Sequence, residues 1–271
     1  DKYFDSREIP PGEVISCDLC VIGGGAAGIA VAREFANTNH SVCILESGGL
    51  TFDQDINELN KLDVTGRPYP EQGSRLRYFG GTTNHWGGHC VPLRPSVFEK
   101  REWIPYSGWP FGIGELHQYY VRAHQVMEIG PYDYDPLPVA NRLGYKLLPF
   151  DPANVESSLS RYYRQRFGER YRQNLEDAGN VSVMLYATVT SINLDADKRF
   201  VTDVTANTLA GNSFPVRAKF FVLATGGIEN ARLLLLSNRD IPAGLGNQND
   251  LVGRFFQEHI LYTSGFILPV D

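Results

Sequence analysis

No stretch of this sequence holds the roughly 20 consecutive apolar residues that a membrane-spanning helix needs. Its longest apolar runs are short and broken by glycine or charge. Blocks of like charge are missing too. With 31 acidic and 25 basic residues among 271, nothing supports a nucleic-acid or anionic-membrane surface. Cysteine is scarce: Cys17, Cys20, Cys43 and Cys90 do not make a disulfide framework in a chain long enough to build its own core. Cys17 and Cys20 have CxxC spacing, but no second pair completes a zinc site, and no metal is expected. On a strand over residues 16–22, positions three apart face opposite sides, so two reduced core thiols are the expectation. The visible start, Asp1-Lys2-Tyr3, has neither Met nor an apolar leader, and a cytoplasmic location is expected.

Glycine, in contrast, is concentrated in two loops. The first, Gly23-Gly24-Gly25-Ala26-Ala27-Gly28, follows an apolar run at 17–22 and opens a helix-like segment at 26–36. A second apolar run at 41–45 ends in Glu46. In that order the pieces form a dinucleotide fingerprint. Gly23 allows the tight turn, Gly25 admits a pyrophosphate, Gly28 lets helix pack on strand, and Glu46 accepts from a ribose hydroxyl. The helix N-terminus supplies the positive end that the pyrophosphate needs.

The second loop, Gly80-Gly81-Thr82-Thr83-Asn84-His85-Trp86-Gly87-Gly88, lies some fifty residues downstream. Glycines there keep side chains away from a large flat ring. Loop N–H groups would stabilise the negative charge of a reduced flavin, Thr82, Thr83 and Asn84 offer donors to its edge, and Trp86 offers an apolar wall. Strand-like runs at 181–186, 189–194, 200–207 and 214–224 follow, separated by turn signals. The last runs through Thr225-Gly226-Gly227 into an apolar helical segment at 228–237. A meander between two strand–glycine–helix junctions is unlike the repeated βαβ units of a nicotinamide dehydrogenase. FAD is therefore expected over NAD.

Taken together, residues 21–28 with Glu46-Ser47-Gly48, 77–88, Ser107-Gly108-Trp109-Pro110, 223–237 and 252–259 resemble the glucose–methanol–choline (GMC) oxidoreductases, flavoproteins that oxidise alcohols and sugars. His85-Trp86 makes the chain look more like the pyranose-oxidase and bacterial sugar-dehydrogenase branches than like the commonest pattern of the family. Glu258 stands where many relatives have Asp. The resemblance implies an α/β, Rossmann-like FAD-binding domain made of residues 11–93 and 180–253. Residues 94–179 would form a substrate-side excursion, and 254–271, with a strand over 260–268, would begin a substrate-domain sheet. The implied cofactor contacts are Gly23, Gly25, Ala26, Ala27, Gly28, Glu46, Ser47, Gly80, Gly81, Thr83, Asn84, His85, Trp86, Gly87, Val189, Ala224, Thr225, Gly226 and Asn230. In some relatives a histidine at the position of His85 is bonded to the flavin; an unbonded histidine is the expectation here. The catalytic base is expected beyond residue 271. The implied partners are an alcohol or sugar substrate, a further C-terminal segment or companion chain, and a redox partner.

Two other features read as structural. An amphipathic helix over 114–129 places Leu116, Tyr120, Ala123 and Met127 on one stripe, and His117 and His124 beside it are expected in exposed or half-buried polar roles. Arginines and aromatics alternate across 160–173, from Arg161 to Arg172. Acidic neighbours there predict a solvated helix face.

Overall fold

The computed structural model describes residues 2–69, 73–259, 263 and 265–266. In chain order its elements are β1 (Tyr3–Asp5), β2 (Ile15–Ile22), α1 (Ala26–Phe35), β3 (Val42–Leu45), α2 (Gln54–Asn57), β4 (His89–Cys90), α3 (Ile113–Met127), α4 (Pro136–Leu143), β5 (Arg161–Tyr162), α5 (Phe167–Asp177), β6 (Val181–Leu185), β7 (Thr188–Leu194), β8 (Val201–Asn207), β9 (Ser213–Leu223) and α6 (Gly227–Leu236). They form two compact units, Asp1–Asn84 with Phe167–Asp271, and His85–Arg166.

The first unit is a seven-stranded sheet in the order β1-β6-β3-β2-β9-β8-β7. Its first five strands pair in parallel and the β7–β8–β9 meander is antiparallel. Parallel strands covered on both faces read as continuous apolar runs, which is why β3 and the second half of β2 are wholly buried. Helices α1 and α5 pack together beside β2, β3 and β6, with Ile29, Ala32, Tyr171 and Leu175 among their buried residues. A separate cluster joins Cys20, Ile22, Cys43 and Leu45 to Val204, Ala206, Phe214 and Val216 of the meander and Leu233 of α6. On its outer side β9 pairs with β8 only over Ser213–Arg217. Among the described residues, Ala218–Leu223 therefore pair on one side alone, against β2, and Phe220 is 70% exposed.

Every strand read from the sequence within the described residues is present to within about two residues, whereas three-residue β1 carries too little pattern to be read. Helix α5 has the solvated face expected for it, with Glu169, Arg170, Arg172 and Gln173 exposed. Its other face is core: Tyr171 and Leu175 are buried, and the Arg33 guanidinium of α1 lies 3.9 Å from the centre of the Tyr171 ring. Helix α5 packs within the first unit, and the second compact unit is His85–Arg166. The strand expected over 260–268 falls on residues outside those described, save 263, 265 and 266.

Strand β2 breaks its two-residue alternation at Asp18, and this corrects the placement of its cysteines. The N–H groups of Asp18 and Leu19 both donate to the Ser41 carbonyl at 3.0 Å, while the register against β9 is the same on both sides, Cys17–Ala218 and Leu19–Phe220. The two strands shift phase together, since Ala218 and Phe221 of β9 also pack on one cluster. Ile15 and Cys17 accordingly pack on the same cluster as Cys20 and Ile22, and the two cysteines share a face.

In the second unit β4 and β5 form a two-stranded antiparallel ladder. His124 of α3 is buried, not exposed or half-buried as expected. Its Nδ1 lies 3.0 Å from the Gly130 carbonyl and its Nε2 3.0 Å from the Tyr134 hydroxyl. Both ring nitrogens are engaged, which is how a buried imidazole avoids a desolvation penalty.

Gly168, near the start of α5, tests the packing of the first unit. A Cβ there would lie 2.4 Å from the Phe79 carbonyl oxygen. Gly168→Ala should destabilise the fold by about 1–3 kcal/mol, as overpacking does, despite a helix-propensity gain of about 1 kcal/mol. Gly179→Ala, whose Cβ meets nothing within 4 Å, is the control. Urea midpoints that are equal for the two variants would refute this packing.

Candidate functional site

Strand β2 delivers the chain into Gly23, which has φ +105° and would place a Cβ 2.6 Å from the Ala224 carbonyl oxygen. A Cβ on Gly28 would lie 1.9 Å from the Gly23 oxygen. Only glycine fits either position. Gly25 differs, because a Cβ there meets nothing within 4 Å. It caps α1 without a side-chain hydrogen bond, and the Ile29 N–H closes on its carbonyl at 2.9 Å. The N–H groups of Ala26, Ala27 and Gly28 thus lie in the unsatisfied first turn of the helix. Open space, free donors and the positive end of a ten-residue helix fit a pyrophosphate.

Glu46 follows β3 and is buried. Its Oε2 accepts from the Gly24 N–H at 2.8 Å and its Oε1 from the Gly48 N–H at 2.9 Å. Burial pushes its carboxyl above the ordinary range, against those two N–H groups and the charge of Arg77. Each oxygen retains lone-pair capacity for a hydroxyl donor. Ser47 Oγ lies 2.7 Å from Thr188 Oγ1 and accepts from Arg77 Nη1 at 3.3 Å.

The second glycine loop is built onto the first. The Gly80 N–H donates to the Gly24 carbonyl at 2.8 Å, and the Phe79 N–H to the Gly49 carbonyl at 2.9 Å. A Cβ on Gly80 (φ +99°) would lie 2.8 Å from the Gly168 nitrogen, and one on Gly81 would lie 3.1 Å from Gly25 Cα. The side chains expected to meet a ring edge are partly engaged within this fold. Thr83 is buried, donates to the Gly80 carbonyl at 2.6 Å and accepts from the Phe167 N–H at 3.2 Å. Asn84 Nδ2 donates to the Phe79 carbonyl at 3.0 Å. Thr82 is exposed.

His85, Trp86 and Gly87 open the second unit. Desolvation and the charge of Arg166 lower the pKa of the exposed His85 from its ordinary 6.5. Trp86 meets Tyr163 edge to face at 6.0 Å, and its carbonyl accepts from Arg166 Nη1 at 2.7 Å. Gly87 is exposed.

At the second junction Ala224 backs onto Gly23, while Gly226 has φ +85°. Asn230 braces the turn: its Oδ1 accepts from the Thr225 N–H at 3.0 Å and from Thr225 Oγ1 at 2.6 Å. Val189 lies in the buried cluster, so its side chain is core packing. Several residues that shape this unit escape sequence reading. Gly49 makes room for Tyr186, whose hydroxyl would lie 2.3 Å from a Cβ there. Gly168 stands behind Gly80. Glu229 pairs with Arg75 and Arg77, each at 2.7 Å. Burial opposes its ionisation, but Arg77 and Arg232 hold its carboxyl below the ordinary range. A lone glycine at the head of an arginine-rich helix was the one available signal for Gly168.

No family profile matches the chain. It is 27% identical to a 2-methyl-1,2-propanediol dehydrogenase of Mycolicibacterium austroafricanum, over 90% of this chain and 55% of that protein. It is 23% identical to the fructose dehydrogenase large subunit of Gluconobacter japonicus, over 91% and 59%. An uncharacterised GMC-type oxidoreductase of Mycobacterium tuberculosis is 28% identical over 50% of this chain and 23% of its own length. Among solved structures, one addressing FAD modification in the formate oxidase of Aspergillus oryzae RIB40 superposes with a TM-score of 0.53. That match has 17% identity over 85% of this chain and 48% of the oxidase. The chain therefore spans little more than half the length of the first two relatives. In sequence the chain is similar to these dehydrogenases and to a GMC-type oxidoreductase, and in fold to the formate oxidase.

Proposed function

We propose that this chain is the FAD-binding part of an oxidoreductase that oxidises a CH–OH group of an alcohol or sugar. The observation that carries the proposal is the direct hydrogen bond from the second glycine loop to the fingerprint, Gly80 to Gly24, beside the open space at Gly25. The first turn of α1 takes the pyrophosphate, Glu46 takes the adenosine ribose, and the backbone of Gly80–Asn84 lies where the cofactor extends from the fingerprint. The flavin, when bound, supplies a two-electron acceptor for the hydride leaving the substrate carbon. The relatives named for propanediol and fructose oxidation support this class of substrate.

The proton of the substrate hydroxyl goes to a base beyond residue 271. Additional polypeptide completes the working molecule, either a continuation of the chain or a companion. Two observations favour this: the one-sided pairing of Ala218–Leu223 with Phe220 exposed, since a bare strand edge invites a partner, and the relatives' greater length. A small-molecule or protein redox partner takes the electrons onward. The four unpaired thiols favour a reducing, cytoplasmic compartment.

Co-expressed with its missing segment, the protein should be yellow, and an alcohol or sugar should bleach the flavin absorption without oxygen. A colourless preparation that binds NAD would overturn the reading. Glu46→Gln retains the side-chain shape but replaces one acceptor with a donor facing an N–H group. It should weaken flavin retention about tenfold or more, given 1.5–3 kcal/mol for a hydrogen bond to a charged group, and unchanged flavin content in dialysed protein would count against Glu46. Acid precipitation should leave the colour in the supernatant, since His85 is not bonded to the ring. His85→Ala should shift flavin potential or turnover more than melting temperature, and the reverse pattern would make His85 a packing residue.

A further inference from the structure

A break in the alternation of β2 gathers three of the four cysteines. Cys20 and Cys43 are register partners on neighbouring parallel strands, both buried within one cluster, and Cys17 packs on that cluster from its partly exposed edge. No group of His, Cys, Asp and Glu among the described residues has the geometry for a metal ion.

We propose that Cys17 is a hydroperoxide-modifiable thiol whose oxidation is resolved by a buried neighbour, Cys20 or Cys43, into an intramolecular disulfide. Cys17 alone combines access from solvent with two adjacent S–H groups. Those neighbours lower its pKa, Cys20 contributing most, while their own rise through contact with Cys17 and through burial. Its Sγ also makes a long contact to the Arg217 carbonyl, 3.8 Å. The thiolate attacks one peroxide oxygen, the O–O bond breaks, and water leaves after protonation, giving a sulfenic acid. A neighbouring thiol then attacks that sulfur, forming the S–S bond and releasing a second water. Two thiols lose two electrons and one peroxide gains them. Cys90 provides an internal standard, because burial raises its pKa and its Sγ lies 3.3 Å from the Gly88 carbonyl. This inference rests on the thiols alone, whether or not flavin binds.

Native protein at pH 7, given limited iodoacetamide, should be alkylated at Cys17 roughly tenfold or more faster than at Cys90, with the difference abolished in urea. Limited hydrogen peroxide should remove two hydrogens from the intact mass, reversibly with dithiothreitol. Peptide mapping should then show Cys17 joined to Cys20 or Cys43, and Cys17→Ser should prevent the loss. Equal alkylation of Cys17 and Cys90, or oxygen addition at Cys17 without a disulfide, would overturn the proposal.

Discussion

The hydrogen bond from the Gly80 N–H to the Gly24 carbonyl fixes the separation of two backbones that no side chain can occupy. One such bond contributes only about 1 kcal/mol net. Its importance is geometric. Gly80 is backed by Gly168, whose own Cβ would strike Phe79, and Gly81 presses on Gly25. Each of these approaches excludes a Cβ, so strand β2, the loop before the second unit and helix α5 are held to one another by the absence of atoms. The open space at Gly25 is left over from that arrangement, and it lies at the positive end of α1.

Two glutamates flank this frame and are tuned in opposite directions. Glu46 is buried and surrounded mainly by backbone N–H groups, and burial dominates, raising its pKa. Glu229 is half-buried among Arg75, Arg77 and Arg232, and its pKa falls. Arg77 serves both. It pairs with Glu229, donates to Ser47 Oγ, and places its charge near Glu46. A cation shared this way ties the acid after β3 to the helix after β9. The first acid faces backbone N–H groups and keeps lone pairs for further donors, while the second holds α6 to the loop that carries Arg75 and Arg77.

What the sequence made legible follows the same physical line. Gly23 and Gly28 could be read because backbone contact admits one residue type at a fixed spacing, and β3 because burial on both faces needs an unbroken apolar run. The buried face of α5 could not: Arg33 of α1 lies over Tyr171, and an arginine covering a buried ring has the same sequence pattern as one facing water. His124 was misjudged for a related reason: Gly130 and Tyr134, which satisfy it, come from beyond the helix. Among the proposed cofactor residues, Thr83 and Val189 show the limit of a motif. It marks the right loop or strand without saying which side chains that element keeps for its own packing.

The break in β2's alternation had a trace in the sequence that strict alternation concealed. Without it, Asp18 would share a face with Cys20 and Ile22 and put a carboxylate into the meander core, a burial that proteins avoid. With it, Asp18 turns to the Ser41 N–H at 2.8 Å and to Lys219 at 2.6 Å, while Ile15 and Cys17 take its place on the core. An acid in phase with a buried stripe is therefore a signal of broken alternation rather than a reason to doubt the strand.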